Sequence, residues 1–297
     1  MGDVVAGGFT ETFHRSADGL RLYARDYLPA DAGPGRLPVV CLPGLTRNAR
    51  DFHELALLLS RHAALSRRVI ALDYRGRGRS DRDDNKANYN PAVECGDVIA
   101  ACAALGIARA IFIGTSRGGL ILHLMAAIKP DLLAGLIFND IGPVIEPAGL
   151  MAIRDYLNRG RQPQSWSEAV DMLKENHGAA FPALAPADWE GMARAIYRDE
   201  AGMPVADYDS AIAEQLKSID FGNPLPDLWP QFEKLGSVPL LVIRGENSNL
   251  LSQETAAEMK RRHPGMMQIT AKGQGHAPLL HLADIPEAIH AFVSRLD

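Results

Sequence analysis

Cysteine is scarce in this chain: three residues, Cys41, Cys95 and Cys102, in 297. An odd number without metal-ligand spacing excludes a disulfide framework and a cysteine-based metal site, and reads as buried thiols in a reducing compartment. Long apolar runs are also missing. None approaches the ~18 residues that span a bilayer, so no membrane-embedded role is expected. Met1-Gly2-Asp3-Val4-Val5 lacks a basic segment followed by an apolar one, so no signal peptide is expected and the expected location is cytoplasmic. Excess charge of one sign is absent too. A net charge of −5 offers no basic surface for nucleic acid or for an anionic membrane. Internal repeats and low-complexity tracts are lacking. What is present is ordinary for a globular protein, 47% hydrophobic and 23% charged residues. The length suffices for one large α/β domain or a domain with an insert.

Apolar β-branched runs alternate with helical patterns over the first half of the chain. Phe13 to Tyr27 reads as a hairpin with its turn at Ser16-Ala17-Asp18-Gly19. Strands follow at Leu37–Leu42, Arg68–Asp73, Ala110–Ile113 and Leu136–Phe138. The helical patterns between them include Phe52–Leu59, Ala92–Leu105 and Leu120–Ile128. This alternation predicts an α/β fold with a mostly parallel sheet and helices on both faces. The rhythm breaks at residue 144. From there to residue 235 no convincing buried strand occurs. Helical patterns appear instead over Met151–Arg159, Trp166–Asn176, Ala187–Arg198 and Tyr208–Ile219. The rhythm resumes at Val238–Ile243 and closes with a helix near Thr255–Arg262, a strand near Met266–Ala271 and a helix over Ile285–Leu296. The expected division is therefore a core of residues 1–143 and 236–297, with a helical insert at 144–235.

The most informative stretch is Gly114-Thr115-Ser116-Arg117-Gly118, set between a strand pattern and a helix pattern. This is the nucleophile-elbow layout. Glycines flank a turn too tight for side chains, and the turn lifts a serine hydroxyl above the sheet in front of a helix N-terminus. Ser116 is the expected nucleophile. A serine needs a base, and His276 in Gly273-Gln274-Gly275-His276-Ala277-Pro278 follows the last strand in a loop that can fold over the sheet edge. His281 is a distant competitor. The oxyanion hole is expected from the amide of Arg117 and from the loop Pro43-Gly44-Leu45-Thr46, where Leu45 is the expected donor.

With these elements in this order, the chain resembles the α/β-hydrolase superfamily over nearly its whole length, and more narrowly the capped bacterial esterases and lactonases. The resemblance implies an eight-stranded sheet, a helical cap inserted after the sixth strand whose inner face makes the substrate pocket, and no cofactor. It also implies that the arginine-rich turn Asp73-Tyr74-Arg75-Gly76-Arg77-Gly78-Arg79-Ser80 is structural. That turn lacks the Gly-Lys-Ser/Thr ending of a phosphate loop.

One position departs from the family. Its triad acid usually follows the seventh strand in a sequence like Arg-Gly-x-x-Ser-Asp, and here the turn reads Arg244-Gly245-Glu246-Asn247-Ser248-Asn249. An amide at Asn249 can bond an imidazole, yet cannot stabilise an imidazolium by charge. In the serine-protease template such a change lowers turnover about 10⁴-fold. Three readings stay open. Asn249 stands where an aspartate belongs and impairs the enzyme; Asp140, closing the sixth strand, supplies the carboxylate; or the protein binds ligand on a hydrolase scaffold with little turnover. Glu246 lies too early in the turn to be a strong fourth candidate. The expected activity is hydrolysis of a small carboxylic ester or lactone. Carbon–carbon bond hydrolysis and cofactor-free haloperoxidation would use the same residues. Arg47 and Arg117 are candidates to hold a substrate carboxylate, and Trp166 and Trp189 to line an apolar pocket, unless they serve ion pairs and the insert's own core. No metal or cofactor is expected, and a homodimer stays open.

Overall fold

A computed structural model describes residues 7–29, 35–63, 66–217, 223 and 225–297. Met1–Val5, and the last two positions of the helix expected over 208–219, lie outside them. Ten strands and ten α-helices occur among the described residues. β1 (Thr10–Arg15) and β2 (Arg21–Tyr27) make the N-terminal hairpin. β3 (Val39–Leu42), β4 (Val69–Leu72), β5 (Ala110–Thr115), β6 (Leu133–Asn139), β9 (Leu240–Gly245) and β10 (Met267–Ala271) complete one eight-stranded sheet in the order β1-β2-β4-β3-β5-β6-β9-β10. β2 pairs antiparallel with both neighbours, and every other pairing is parallel. A parallel strand covered on both faces needs apolar residues at successive positions. β5 meets this demand, with Ala110, Ile111, Phe112 and Ile113 fully buried.

Helices cover both faces. α2 (Pro91–Ala104) and α3 (Arg117–Ile128) lie on one, α1 (His53–Ser60) and α10 (Ile285–Val293) on the other, and each face has its own core cluster. Local signals set their starts. Asn90 caps α2 by accepting from the amides of Ala92 and Val93, with Pro91 in the first turn. Ser252 caps α9 (Gln253–Arg262) through the Thr255 amide. The three thiols are buried, and burial pushes Cys95 up to about 11 and Cys102 to about 12. No helix among the described residues is long and apolar enough to cross a membrane.

Between β6 and β9 lie α4 (Pro147–Asn158), α5 (Trp166–His177), α6 (Pro186–Ile196), α7 (Ala211–Lys217) and α8 (Trp229–Glu233). The segment also holds a two-stranded antiparallel hairpin, β7 (Tyr197–Glu200) with β8 (Met203–Ala206), where the sequence pattern offered the end of one helix and a link to the next. Its turn residues Ala201 and Gly202 both take positive φ, the geometry of a tight hairpin. α5 and α6 bury a separate small core with Leu173, Phe181, Trp189 and Met192. The hairpin's exit is tied to the main sheet. The Asp209 amide donates to the Gly76 carbonyl at 2.7 Å, and the Gly78 amide to the Asp207 carbonyl at 2.9 Å. The arginine-rich turn is thus the anchor of the inserted segment.

Candidate active site

The carboxyl ends of β3, β5, β6, β9 and β10 meet along one edge of the sheet. Open parallel sheets collect their functional groups there. Ser116 follows β5 with φ 50° and ψ −109°. A non-glycine residue in this region is strained by ~1–3 kcal/mol, held by its surroundings. The glycines explain how. A Cβ on Gly118 would sit 2.3 Å from the Leu42 carbonyl oxygen, and one on Gly119 2.1 Å from Ile141 Cγ2. Only bare backbone lets α3 approach β3 and the loop after β6 this closely.

His276 reaches Ser116 from the loop after β10, with Nε2 3.0 Å from the serine Oγ. Its Nδ1 lies 2.8 Å from Oδ2 of Asp140, which is fully buried. Asp140 is itself held. Its Oδ1 accepts from the Gly245 amide at 2.8 Å, and its Oδ2 accepts from the Ser248 hydroxyl at 2.6 Å. Its own amide donates to the Ile243 carbonyl at 2.8 Å. Asn139 braces the histidine loop by donating to the Pro278 carbonyl at 3.0 Å.

The structure corrects the alternative at Asn249. That side chain is exposed and makes no hydrogen bond to His276 among the described residues. The turn that carries it presents Ser248 to Asp140 instead. Glu246 is turned away as well, pairing with Lys272 Nζ at 2.9 Å and the Gly273 amide at 2.8 Å. His281 does not line the cavity above Ser116.

The amides of Leu45 and Arg117 donate to no protein acceptor among the described residues, which leaves both N–H groups for a ligand oxygen. A buried network joins them. Arg77 Nε donates to the Leu45 carbonyl at 2.8 Å. Its Nη1 pairs with Glu94 Oε1 at 2.8 Å, with both side chains fully buried. Glu94 Oε2 accepts from Arg117 Nε at 2.7 Å, and Arg117 Nη2 donates to the Tyr89 carbonyl at 3.1 Å. Arg117 therefore faces the network, not the cavity, which corrects its reading as a carboxylate holder. Nothing in the sequence marks Glu94, which shares the otherwise apolar α2 with one other acid, Asp97.

Above Ser116 lies a cavity of about 550 Å³ between the sheet edge and the inserted segment. Arg47 lines it, bound to Asp51 through Nε and Nη2 at 2.6 to 3.0 Å. Trp166 and Trp189 do not line it. Trp189 is buried in the insert's own core. Trp166 lies under the Arg194 guanidinium and donates to Asp199 at 3.0 Å. Tyr156, Tyr197, Tyr208 and His177 are on the wall, and sequence reasoning missed all four. Burial drives His177 down to about 4, with Arg47, Arg159 and His276 acting in the same direction. No group of three or more potential metal ligands occurs among the described residues.

A serine, an imidazole and a carboxylate joined in series, beside two unpaired amides, can transfer an acyl group from an ester to water. Known proteins of similar sequence and shape carry names in keeping with such chemistry. A family model described as "alpha/beta hydrolase fold" matches residues 38–281. The 3-hydroxybutyrate-oligomer hydrolase of Cupriavidus necator is 30% identical over 248 residues, covering 81% of this chain and 82% of that protein. The 2-(acetamidomethylene)succinate hydrolase of Mesorhizobium japonicum is 27% identical over 234 residues, covering 78% and 79%. A crystal structure of an alpha/beta hydrolase from Novosphingobium aromaticivorans superposes with a TM-score of 0.88 at 39% identity, covering 97% of this chain and 99% of that one. The chain belongs to the α/β hydrolase fold family.

Proposed function

We propose that this hydrolase cleaves a small carboxylic ester or lactone through an acyl-enzyme on Ser116. The observation that carries the reading is the unbroken series from Ser116 Oγ to His276 Nε2 at 3.0 Å and from His276 Nδ1 to Asp140 Oδ2 at 2.8 Å. In this scheme Ser116 attacks the carbonyl carbon while His276 takes its proton. The carbonyl oxygen gathers negative charge and is held by the Leu45 and Arg117 amides. His276 returns the proton to the leaving alcohol. It then takes one from the water that attacks the acyl carbon and gives it to Ser116 Oγ as the acyl–oxygen bond breaks, which releases the acid and restores the serine. Asp140 fixes the proton of His276 on Nδ1 and offsets the imidazolium charge that forms twice per cycle. The name of the Cupriavidus necator relative supports esters between hydroxy acids as the substrate class.

Replacement of the nucleophile tests the scheme. With 4-nitrophenyl butyrate, Ser116→Ala is expected to lose at least ~10³-fold in kcat and all initial burst. A phosphonate ester is expected to label the wild-type chain on Ser116, read by peptide mass. Retained turnover in Ser116→Ala, or label elsewhere, would contradict it.

A further inference from the structure

The cavity above Ser116 carries three phenols among the charged and apolar side chains of its lining. Tyr156 comes from α4, Tyr197 from β7 and Tyr208 from the segment after β8. The three rings are near one another and near Arg47, whose charge acts on Tyr156 and Tyr197. Tyr156 and Tyr197 adjoin hydroxyl to hydroxyl. Two hydroxyls facing each other commit one proton between them, so at least one stays free to donate. Arg47 gives Nε and Nη2 to Asp51 and keeps Nη1 unpaired among the described residues. The carboxylates of the lining and the Asn176 side-chain oxygen are already paired. Asp51 is bound to Arg47, Glu175 pairs with Arg161 at 3.7 Å, and Asn176 Oδ1 accepts from Arg159. The lining thus holds three arginines against two carboxylates.

Donors that a bound ligand closes off from water need an acceptor, and a ligand that brings none leaves them unpaired at a cost. We propose that Arg47 and the phenols of Tyr156, Tyr197 and Tyr208 form a subsite for an oxygen-acceptor end of the substrate, so that the enzyme selects esters carrying a second carboxylate or carbonyl over plain alkyl esters. The inference rests on the ester-hydrolase reading above. Arg47 and its Asp51 partner are neutral as a pair, and Arg159 adds positive charge to the same cavity. A free carboxylate and the next carbonyl of an oligomeric ester share the acceptor chemistry this subsite would recognise.

Matched substrates test it. In the acyl half, 4-nitrophenyl hydrogen glutarate and its methyl ester are compared with 4-nitrophenyl hexanoate. In the alcohol half, 3-acetoxybutyrate is compared with 2-pentyl acetate by pH-stat. The acceptor-bearing member of at least one pair is expected to show kcat/KM about tenfold or more above its plain partner. Preference for the glutarate acid alone identifies a carboxylate site, and equal preference for its methyl ester a carbonyl site. In Tyr156→Phe and, as a second variant, Tyr208→Phe, the ratio is expected to fall toward one. Circular dichroism and the melting temperature establish that each variant is folded. No preference in either pair, or a preference unchanged in both variants, overturns the subsite. Turnover of the plain esters that still requires Ser116 would leave the ester-hydrolase reading standing, and loss of that turnover would remove both.

Discussion

Asp140 and Asn249 show how far single residues can be read. The sequence left two positions open for the group behind His276, and the reason is physical. β6 and β9 are parallel neighbours with Asn139 opposite Ile243, so a side chain leaving the end of either strand reaches the same point above the edge. Ser116, His276, Leu45 and the elbow glycines were legible because their chemistry needs a fixed local pattern. Glu94 and the cavity tyrosines were not, because their roles come from partners well separated along the chain, 23 positions for Glu94 and Arg117, which leaves no local pattern. Glu94 is nonetheless the residue from which both candidate oxyanion donors are braced. In Glu94→Gln, Arg77 and Arg117 lose their buried counter-charge. The unfolding free energy in urea is expected to fall by ~3–5 kcal/mol, as when one member of a buried pair is removed. The protein that remains folded is expected to show a kcat roughly tenfold lower with KM within about twofold, because the braced amides act on the developing oxyanion. An unchanged kcat would limit the network to stability.

At the scale of elements, the strand-turn-helix at Ser116 is held by steric fit, and glycine substitutions separate fit from propensity. Gly118→Ala drives a Cβ to 2.3 Å from a backbone oxygen that has no rotamer to move into. A loss of ~2 kcal/mol or more of stability and of most activity is expected. Gly96→Ala, on the exposed side of α2, meets nothing within 4 Å and should gain up to ~1 kcal/mol from helix propensity. Paired urea titrations check both signs. The hairpin of β7 and β8 escaped the sequence because its strands are four residues each with one buried position apiece, which leaves no apolar alternation to detect. Trp166 and Trp189 were legible as insert residues, but not as to which way they face. A separate core in the insert draws Trp189 away from the cavity.

Across the whole molecule, burial of histidine sets the response to acid. His14, His53, His123, His177, His281 and His290 are all lowered, chiefly by burial. Their folded values lie below the ordinary 6.5, so the unfolded chain takes protons first as pH falls. The histidines' share of stability is therefore complete above about 6.5 and is lost progressively toward 4. His123, fully buried against Phe138 and lowered to about 4, contributes at most ~3 kcal/mol to that loss. Urea midpoints at pH 7.5 and 5 should differ less in His123→Leu than in the wild type, and an equal difference would remove His123 from the explanation. The fold itself was legible at this scale because alternating strand and helix signals admit few topologies, whereas the cavity is assembled by packing the insert on the sheet edge. The most direct test of the central claim sets Asp140→Asn beside Asn249→Asp in steady-state and burst kinetics on 4-nitrophenyl butyrate. A loss of ~10⁴-fold in kcat for Asp140→Asn, with Asn249→Asp close to wild type, is expected. A gain of several hundred-fold in Asn249→Asp, with Asp140→Asn unchanged, would contradict it and return the acid to the turn after β9.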